Sequence, residues 1–317
     1  MQGRRLARRP GVAGGNAMFD YLLAENNFVS IRTYKDFLND LGPTLAHIQS
    51  FSDSIARQGH QLLVPPDARA LGFAAMASMA SWQGIKASID ALGHGIAWVL
   101  RDLNGFLREF EAINDEGWDR RTAISRIDPQ RFSVVRSESW TDQPPIDVLD
   151  IMHMFVFRLG MCERTVELLK ANVRTLTEDT HSIVVRFIES LKLRLCSCDG
   201  PVSKIEAYYT LGRLGLPGMQ YNPNDRYSEQ QRRELARQHI ARLEALHWHC
   251  TGATNNLGDF CYRLLRFIND ARRELLSHHH SQTLPRAKLS MRLMDYSLTE
   301  VRDMSTQLTS MARTLNT

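Results

Sequence analysis

The chain has 317 residues, of which 43% are hydrophobic and 23% charged, and its formal net charge is +4. This composition can fill one large core, and so mild a charge without a recognition motif argues against a nucleic-acid partner. No uncharged apolar run reaches the ~20 residues of a membrane-spanning helix. The charge is uneven, since acidic residues outnumber basic ones in 18–150 and the reverse holds in 151–317.

The N-terminal segment 1–17 is predicted to be a disordered basic tail. It contains four arginines and four glycines but no acidic residue. An Arg-rich, acid-free segment is also typical of a mitochondrial presequence. The plain tail is preferred because serine is scarce and no clear amphipathic pattern is present. The arginines of the tail are Arg4, Arg5, Arg8 and Arg9.

Residues 18–317 are predicted to form a single elongated helical-bundle domain. A short helix is expected over 19–27, and a longer one follows it, with Ser30 or Thr33 as its N-cap candidate and Pro43 as an internal break. Longer helices are expected over 67–113, 149–196 and 229–277, followed by a last helix after Pro285. The breaker-rich residues 114–145 are expected to form an irregular insert, with a possible short strand at 131–136.

Each long segment carries apolar residues in alternating steps of four and three, as in a coiled coil. In the central segment this series includes Leu169, Val173 and Leu176. A helix of about 45 residues is roughly 70 Å long, so it needs equally long partners. The fold class is therefore all-α, an elongated up-and-down bundle of antiparallel helices with shorter flanking helices.

The stretch from Ala70 to Ile85 contains no charge and is rich in alanine, serine, methionine and glycine. Small side chains allow helices to approach one another closely, in soluble bundles as well as in membranes. We therefore expect a partner or membrane contact in this stretch. Its candidate residues are Leu71, Phe73, Met76, Met79 and Trp82.

Metal binding has only weak candidates. His247 and Cys250 are spaced i,i+3 on one helical face, which suits a metal ion, but both also occupy core positions. Class I terpene synthases need Asp-rich metal-binding clusters, and neither Asp147-x-x-Asp150 nor Asn269-Asp270 completes that pattern. No Gly-rich phosphate loop, nucleophile elbow or zinc-protease motif occurs. We therefore expect no enzyme activity, catalytic residue, metal or cofactor.

Two functions remain. The first is a non-enzymatic interaction or scaffold protein, whose partners are other helical proteins or a second copy of the chain. The alternative is a membrane-active bundle using residues 70–100, similar in architecture to helical pore-forming toxins or BAR modules. A nucleic-acid partner is not expected, and no small-molecule substrate is evident.

The five cysteines indicate where the protein resides. Their number is odd and most lie at apolar positions, which is typical of free thiols in a reducing compartment. A cytoplasmic location is expected, with a membrane-associated or mitochondrial one as the alternative. The cysteines are Cys162, Cys196, Cys198, Cys250 and Cys261.

Overall fold

A computed structural model describes residues 23–55, 62–63, 65–113, 127, 131–132, 148–197, 228–277 and 283–313. These residues form an all-α structure with six helices and, within the described ranges, no strand. The helices are α1 (Glu25–Asn39), α2 (Leu41–Ile55), α3 (Pro65–Glu111), α4 (Val148–Ser197), α5 (Glu229–Ser277) and α6 (Leu284–Arg313).

The helix ends follow from local sequence. Ser228 caps α5: its hydroxyl accepts a hydrogen bond from the Gln231 backbone N–H, and the Gln231 side chain accepts one from the Ser228 N–H. A break at Asp40 separates α1 from α2. Pro43 then lies in the first turn of α2, where a missing N–H costs no hydrogen bond.

One expected helix start is wrong. Ser30 and Thr33 are not N-caps, because both lie inside α1, which begins at Glu25. The side chain of Asn27 accepts a hydrogen bond from the Ala24 backbone N–H at 2.7 Å. That bond satisfies one donor at the start of the helix. α1 therefore begins about two turns before the starts expected from Ser30 or Thr33.

The three longest helices, α3, α4 and α5, run in alternating directions, and α4 packs against both of the others. Beside these three helices, a fourth layer of the bundle is formed by shorter helices from the two ends of the chain. α6 packs on α5 and α3 at one end, here called the lower end, while α1 and α2 pack on α5 towards the upper end. The two parts meet where the Gln307 side chain donates to the Leu23 carbonyl. The predicted elongated bundle is confirmed.

The buried residues of all six helices form one continuous core. The predicted series on α4 is correct, because Leu169, Val173 and Leu176 are all buried. Near the lower end the core is aromatic, with neighbouring ring centroids 5.5–6.2 Å apart. The rings belong to Phe106, Phe110, Phe132 and Phe155.

Polar contacts join the helices at both ends of the bundle. At the upper end Arg194 of α4 donates to the Leu62 carbonyl at 2.8 Å and to Asp67 of α3 at 2.6 Å. At the lower end the Lys288 ammonium group donates to the Glu111 and Ile113 carbonyls at 3.0 and 2.7 Å. Since these carbonyls end α3, a cation of α6 stabilises the C-terminus of that helix.

Candidate functional site

The uncharged stretch of α3 is half core and half surface. Leu71 and Trp82 are buried, whereas Phe73, Met76 and Met79 are 64%, 61% and 40% exposed. At 100° per residue the three exposed positions lie within an arc of about 120°, away from the buried pair. These three side chains are called the outer face of α3 below. The structure therefore separates the five candidate residues into two groups with different environments.

The outer face occupies the upper part of α3, and α6 covers the lower part of the helix. At Gly93 the two helices are so close that an added Cβ would lie 2.4 Å from Thr309 Cγ2. Further down, Arg292 of α6 pairs with Glu111 of α3 at 3.1 Å. Between residues 70 and 85 α3 carries no charge. The outer face is therefore an apolar surface on a helix segment without charged side chains.

The two weak metal candidates, His247 and Cys250, are both in the core. His247 is buried, and each of its ring nitrogens lies within hydrogen-bonding distance of another side chain. Cys250 is also buried, and burial raises the pKa of its thiol to about 12. Such a thiol binds a metal only after losing a proton that it holds tightly. In the described part of the chain no group of three or more His, Cys, Asp or Glu side chains converges.

His247 lies at the centre of a chain of hydrogen bonds that crosses the bundle. Its Nδ1 is 2.9 Å from the Tyr34 hydroxyl of α1, and its Nε2 is 2.9 Å from Nδ1 of His181 on α4. All three groups are satisfied when neutral: Tyr34 donates to Nδ1, and the Nε2–H of His247 donates to His181. Burial and the neighbouring His181 lower the pKa of His247 to about 4. His247 is therefore uncharged at neutral pH.

A second histidine contact joins α2 to α5 two helical turns away. The rings of His47 and His239 are stacked, with centroids 4.7 Å apart and planes 14° from parallel. The Thr44 hydroxyl lies 3.3 Å from Nδ1 of His239. Burial, His47 and Arg242 lower the pKa of His239. Both of these α5 histidines therefore contact the α1–α2 segment.

These contacts were not predicted from the sequence. The spacing of His247 places it among the core positions of α5, but its partners lie 66 and 213 residues away along the chain. One usable signal was present: His239 and His247 are eight residues apart, which is close to two turns of helix. That spacing predicts a shared face, although it does not predict which helix covers the face.

Several other expectations fall on parts of the chain that are not described. The basic tail with Arg4, Arg5, Arg8 and Arg9 lies outside the described residues, as does most of the insert 114–145. Within the insert, Ile127 and Phe132 are buried, and Arg131 lies 3.3 Å from Glu109 of α3.

Comparison with protein-family models, with curated proteins and with solved structures found no match to this chain. Among the described helices, none is apolar enough over a sufficient length to cross a membrane.

Proposed function

We propose that this protein is a non-enzymatic helical interaction protein, and that the outer face of α3 binds an apolar surface of another helical protein or of a second copy of the chain. The observation that supports this is the exposure of Phe73, Met76 and Met79 on one side of a helix segment that has no charge. Helix-in-groove recognition uses apolar anchors spaced three or four residues apart on one helical face, as these are.

The size of the surface limits its affinity. Burying a fully exposed Phe or Met side chain contributes about 1.5–3 kcal/mol, and since these three are only 40–64% exposed they contribute roughly 2.5–5 kcal/mol together. The loss of translational and rotational freedom on association costs about 4–15 kcal/mol. The three side chains alone therefore support only weak or transient binding. A tighter complex requires that the partner also contact the small residues nearby, such as the exposed Ala80 and Ala87.

Sedimentation equilibrium over the micromolar range tests self-association. We expect the apparent mass to rise with concentration, and the Phe73→Ser/Met76→Ser double variant to stay monomeric. The matched control is Leu193→Ser, which removes an isolated apolar side chain of α4 that is 72% exposed. For a different partner, a photo-crosslinking residue at position 76 should capture a helical protein in cells, and one at position 193 should not.

Two results would contradict the proposal. In the first, the double variant associates as strongly as the wild type. In the second, the wild type is monomeric and position 76 crosslinks no more than position 193. Because all the substitutions are at exposed positions, the melting temperature should change little, which separates a binding defect from unfolding.

A membrane-active bundle using residues 70–100 is the second candidate function, and the same exposed side chains favour it. Lys86 and Asp90 count against it, since both would enter the lipid at a cost of several kcal/mol. Flotation with anionic and neutral liposomes, paired with dye leakage, distinguishes the two functions. Binding and leakage that survive deletion of residues 1–17 would favour the membrane-active bundle. No flotation at low salt would favour the interaction protein.

A further inference from the structure

Several of the polar contacts that join the α1–α2 segment to the rest of the bundle involve neutral imidazoles. Tyr34 contacts His247, while Thr44 and His47 contact His239. α6, the other part of the fourth layer, is joined to α3 and α5 differently. Lys288 and Arg292 contact backbone carbonyls and Glu111 of α3, and Ser290 donates to Glu274 of α5. Among the described contacts of α6, none involves a histidine.

A proton added to His247 would place a positive charge in the core of the docked arrangement, where the ring is 2% exposed. A cationic His247 carries N–H groups on both ring nitrogens, so the Tyr34 hydroxyl would have to turn from donating to Nδ1 to accepting from it. A cationic His181 would point its own Nδ1–H at the Nε2–H of His247. Among the described side chains no carboxylate contacts either ring, so these side chains supply no counter-ion for a charge on the buried His247.

Two carboxylates among the described residues of the interface have partners of their own. Glu244 pairs with Lys192 at 2.5 Å, and Asp53 accepts a hydrogen bond from Gln49. α3 contributes no charged residue between positions 70 and 85. The titratable or charged groups described at this interface include Tyr34 on α1, His47 and Asp53 on α2, His181 and Lys192 on α4, and Arg232, Arg242 and Glu244 on α5.

We propose that α1–α2 is a pH-responsive segment, which is docked on α5 at neutral pH and undocks in mildly acidic solution as His247 and His239 take up protons. The proposal concerns a different surface from the outer face of α3 and does not depend on the function proposed for that face.

The sign and size of the effect follow from proton linkage. The pKa of His247 is lowered from 6.5 to about 4 in the docked form, so the undocked form binds more protons between these values. Undocking therefore becomes more favourable as the pH falls below 6.5. If His247 regains its ordinary pKa on undocking, the opening equilibrium constant rises about 25-fold between pH 7.5 and pH 5. The lowered pKa of His239 acts in the same direction.

Asp53 acts in the opposite direction. Burial raises the pKa of its carboxyl group above 3.8, so proton uptake there favours the docked form as the pH falls. An Asp53→Asn variant removes this opposing contribution. It should therefore show an acid response at least as large as that of the wild type.

Hydrogen exchange of the full chain, measured at pH 7.5 and pH 5 and corrected for the intrinsic exchange rates, tests the proposal. We expect amides of α1 and α2 to lose about 25-fold in protection at pH 5, while amides of α6 and the lower half of α4 change by less than about threefold. His247→Gln should remove most of the response. The matched control is His249→Gln, an exposed histidine two residues further along α5.

The proposal is overturned if the protection of α1 and α2 does not depend on pH, or if all helices lose protection together. It is also overturned if His249→Gln weakens the response as much as His247→Gln does. Should His247→Gln fail to fold, the wild-type comparison of α1–α2 with α6 decides by itself, because both segments are measured in the same molecule.

Discussion

The two halves of α3 share one buried face but differ on the outside. In the lower half, α6 packs closely against the helix at Gly93, and charged residues such as Arg108 and Glu111 occupy the remaining surface. In the upper half no charge occurs between residues 70 and 85, and Phe73 and Met76 are exposed. One regular apolar series therefore runs along a helix with two different outer environments. The inner face builds the bundle, and the exposed apolar side chains of the upper half form the surface that we propose binds a partner.

The largest expected effect compares two phenylalanines of this helix. Phe106 is fully buried in the aromatic cluster of the lower half, whereas Phe73 is mostly exposed in the upper half. Phe106→Ala should reduce the free energy of unfolding by about 3–5 kcal/mol, because it removes buried area and leaves a cavity. Phe73→Ala should change it by less than about 0.5 kcal/mol. Chemical denaturation measures both.

Equal losses in the two phenylalanine variants would show that the outer face is covered in solution. In that case the comparison between the halves of α3 fails, since both halves would then belong to the core.

A smaller effect is expected at the contact between α3 and α6. Gly93→Ala should destabilise the protein by about 1–3 kcal/mol, because its Cβ would overlap Thr309, whose β-branched side chain is stiff in a helix. Gly252→Ala is the matched control on α5, where an added Cβ meets nothing within 4 Å. It should stabilise the protein by about 1 kcal/mol through helix propensity. Thermal melting of both variants checks the opposite signs.

If Gly93→Ala proved as stabilising as Gly252→Ala, α6 would not lie against α3 at this level. The lower half of the helix would then be as open as the upper half.

The smallest effect is expected where α1 meets α5. Tyr34→Phe removes the hydroxyl group near His247 and leaves Nδ1 of that buried ring without this donor. We expect a loss of about 1–2 kcal/mol at pH 7.5, typical of a buried polar atom that loses its partner. The loss should be smaller at pH 5, where undocking of α1–α2 is already favoured. A loss that grows on acidification would contradict the neutral hydrogen-bond chain.

The sequence was sufficient for the helices and for the faces that they bury. Steps of four and three indicate which residues are buried, and the Ser228–Gln231 capping box indicates where a helix starts, so the expected helix at 229–277 has the bounds found for α5. The start of α1 was missed, because the hydrogen bond from the Ala24 N–H to Asn27 resembles none of the preferred N-caps. The pairing of Tyr34 with His247 could not be predicted. A helical period shows which residues share a face, but it does not show which other helix packs on that face.

The candidate site was predicted only in part, because a helical period does not show which neighbouring helix covers a given face. The uncharged stretch 70–85 was visible in the composition, and the apolar series of α3 already placed Leu71 and Trp82 on the buried face. The exposure of Phe73, Met76 and Met79 could not be read from that series, because it depends on which neighbouring helices cover the other faces of α3. The division of the fourth layer between α6 and α1–α2 likewise depends on contacts between opposite ends of the chain.

Hydroxyl-radical footprinting of the wild-type protein, read residue by residue by mass spectrometry, tests the central claim most directly, because Met and aromatic side chains are the ones that radicals oxidise readily. At a concentration where the protein is monomeric, we expect rapid oxidation of Phe73 and Met76, intermediate oxidation of Met79, and protection of Trp82, Phe106 and Phe110. In the associated state Phe73 and Met76 should become protected while Tyr262 of α5, which is 65% exposed, stays reactive. Protection of Phe73 and Met76 in the monomer, or oxidation of Trp82 as fast as that of Met76, would contradict an open apolar face on α3.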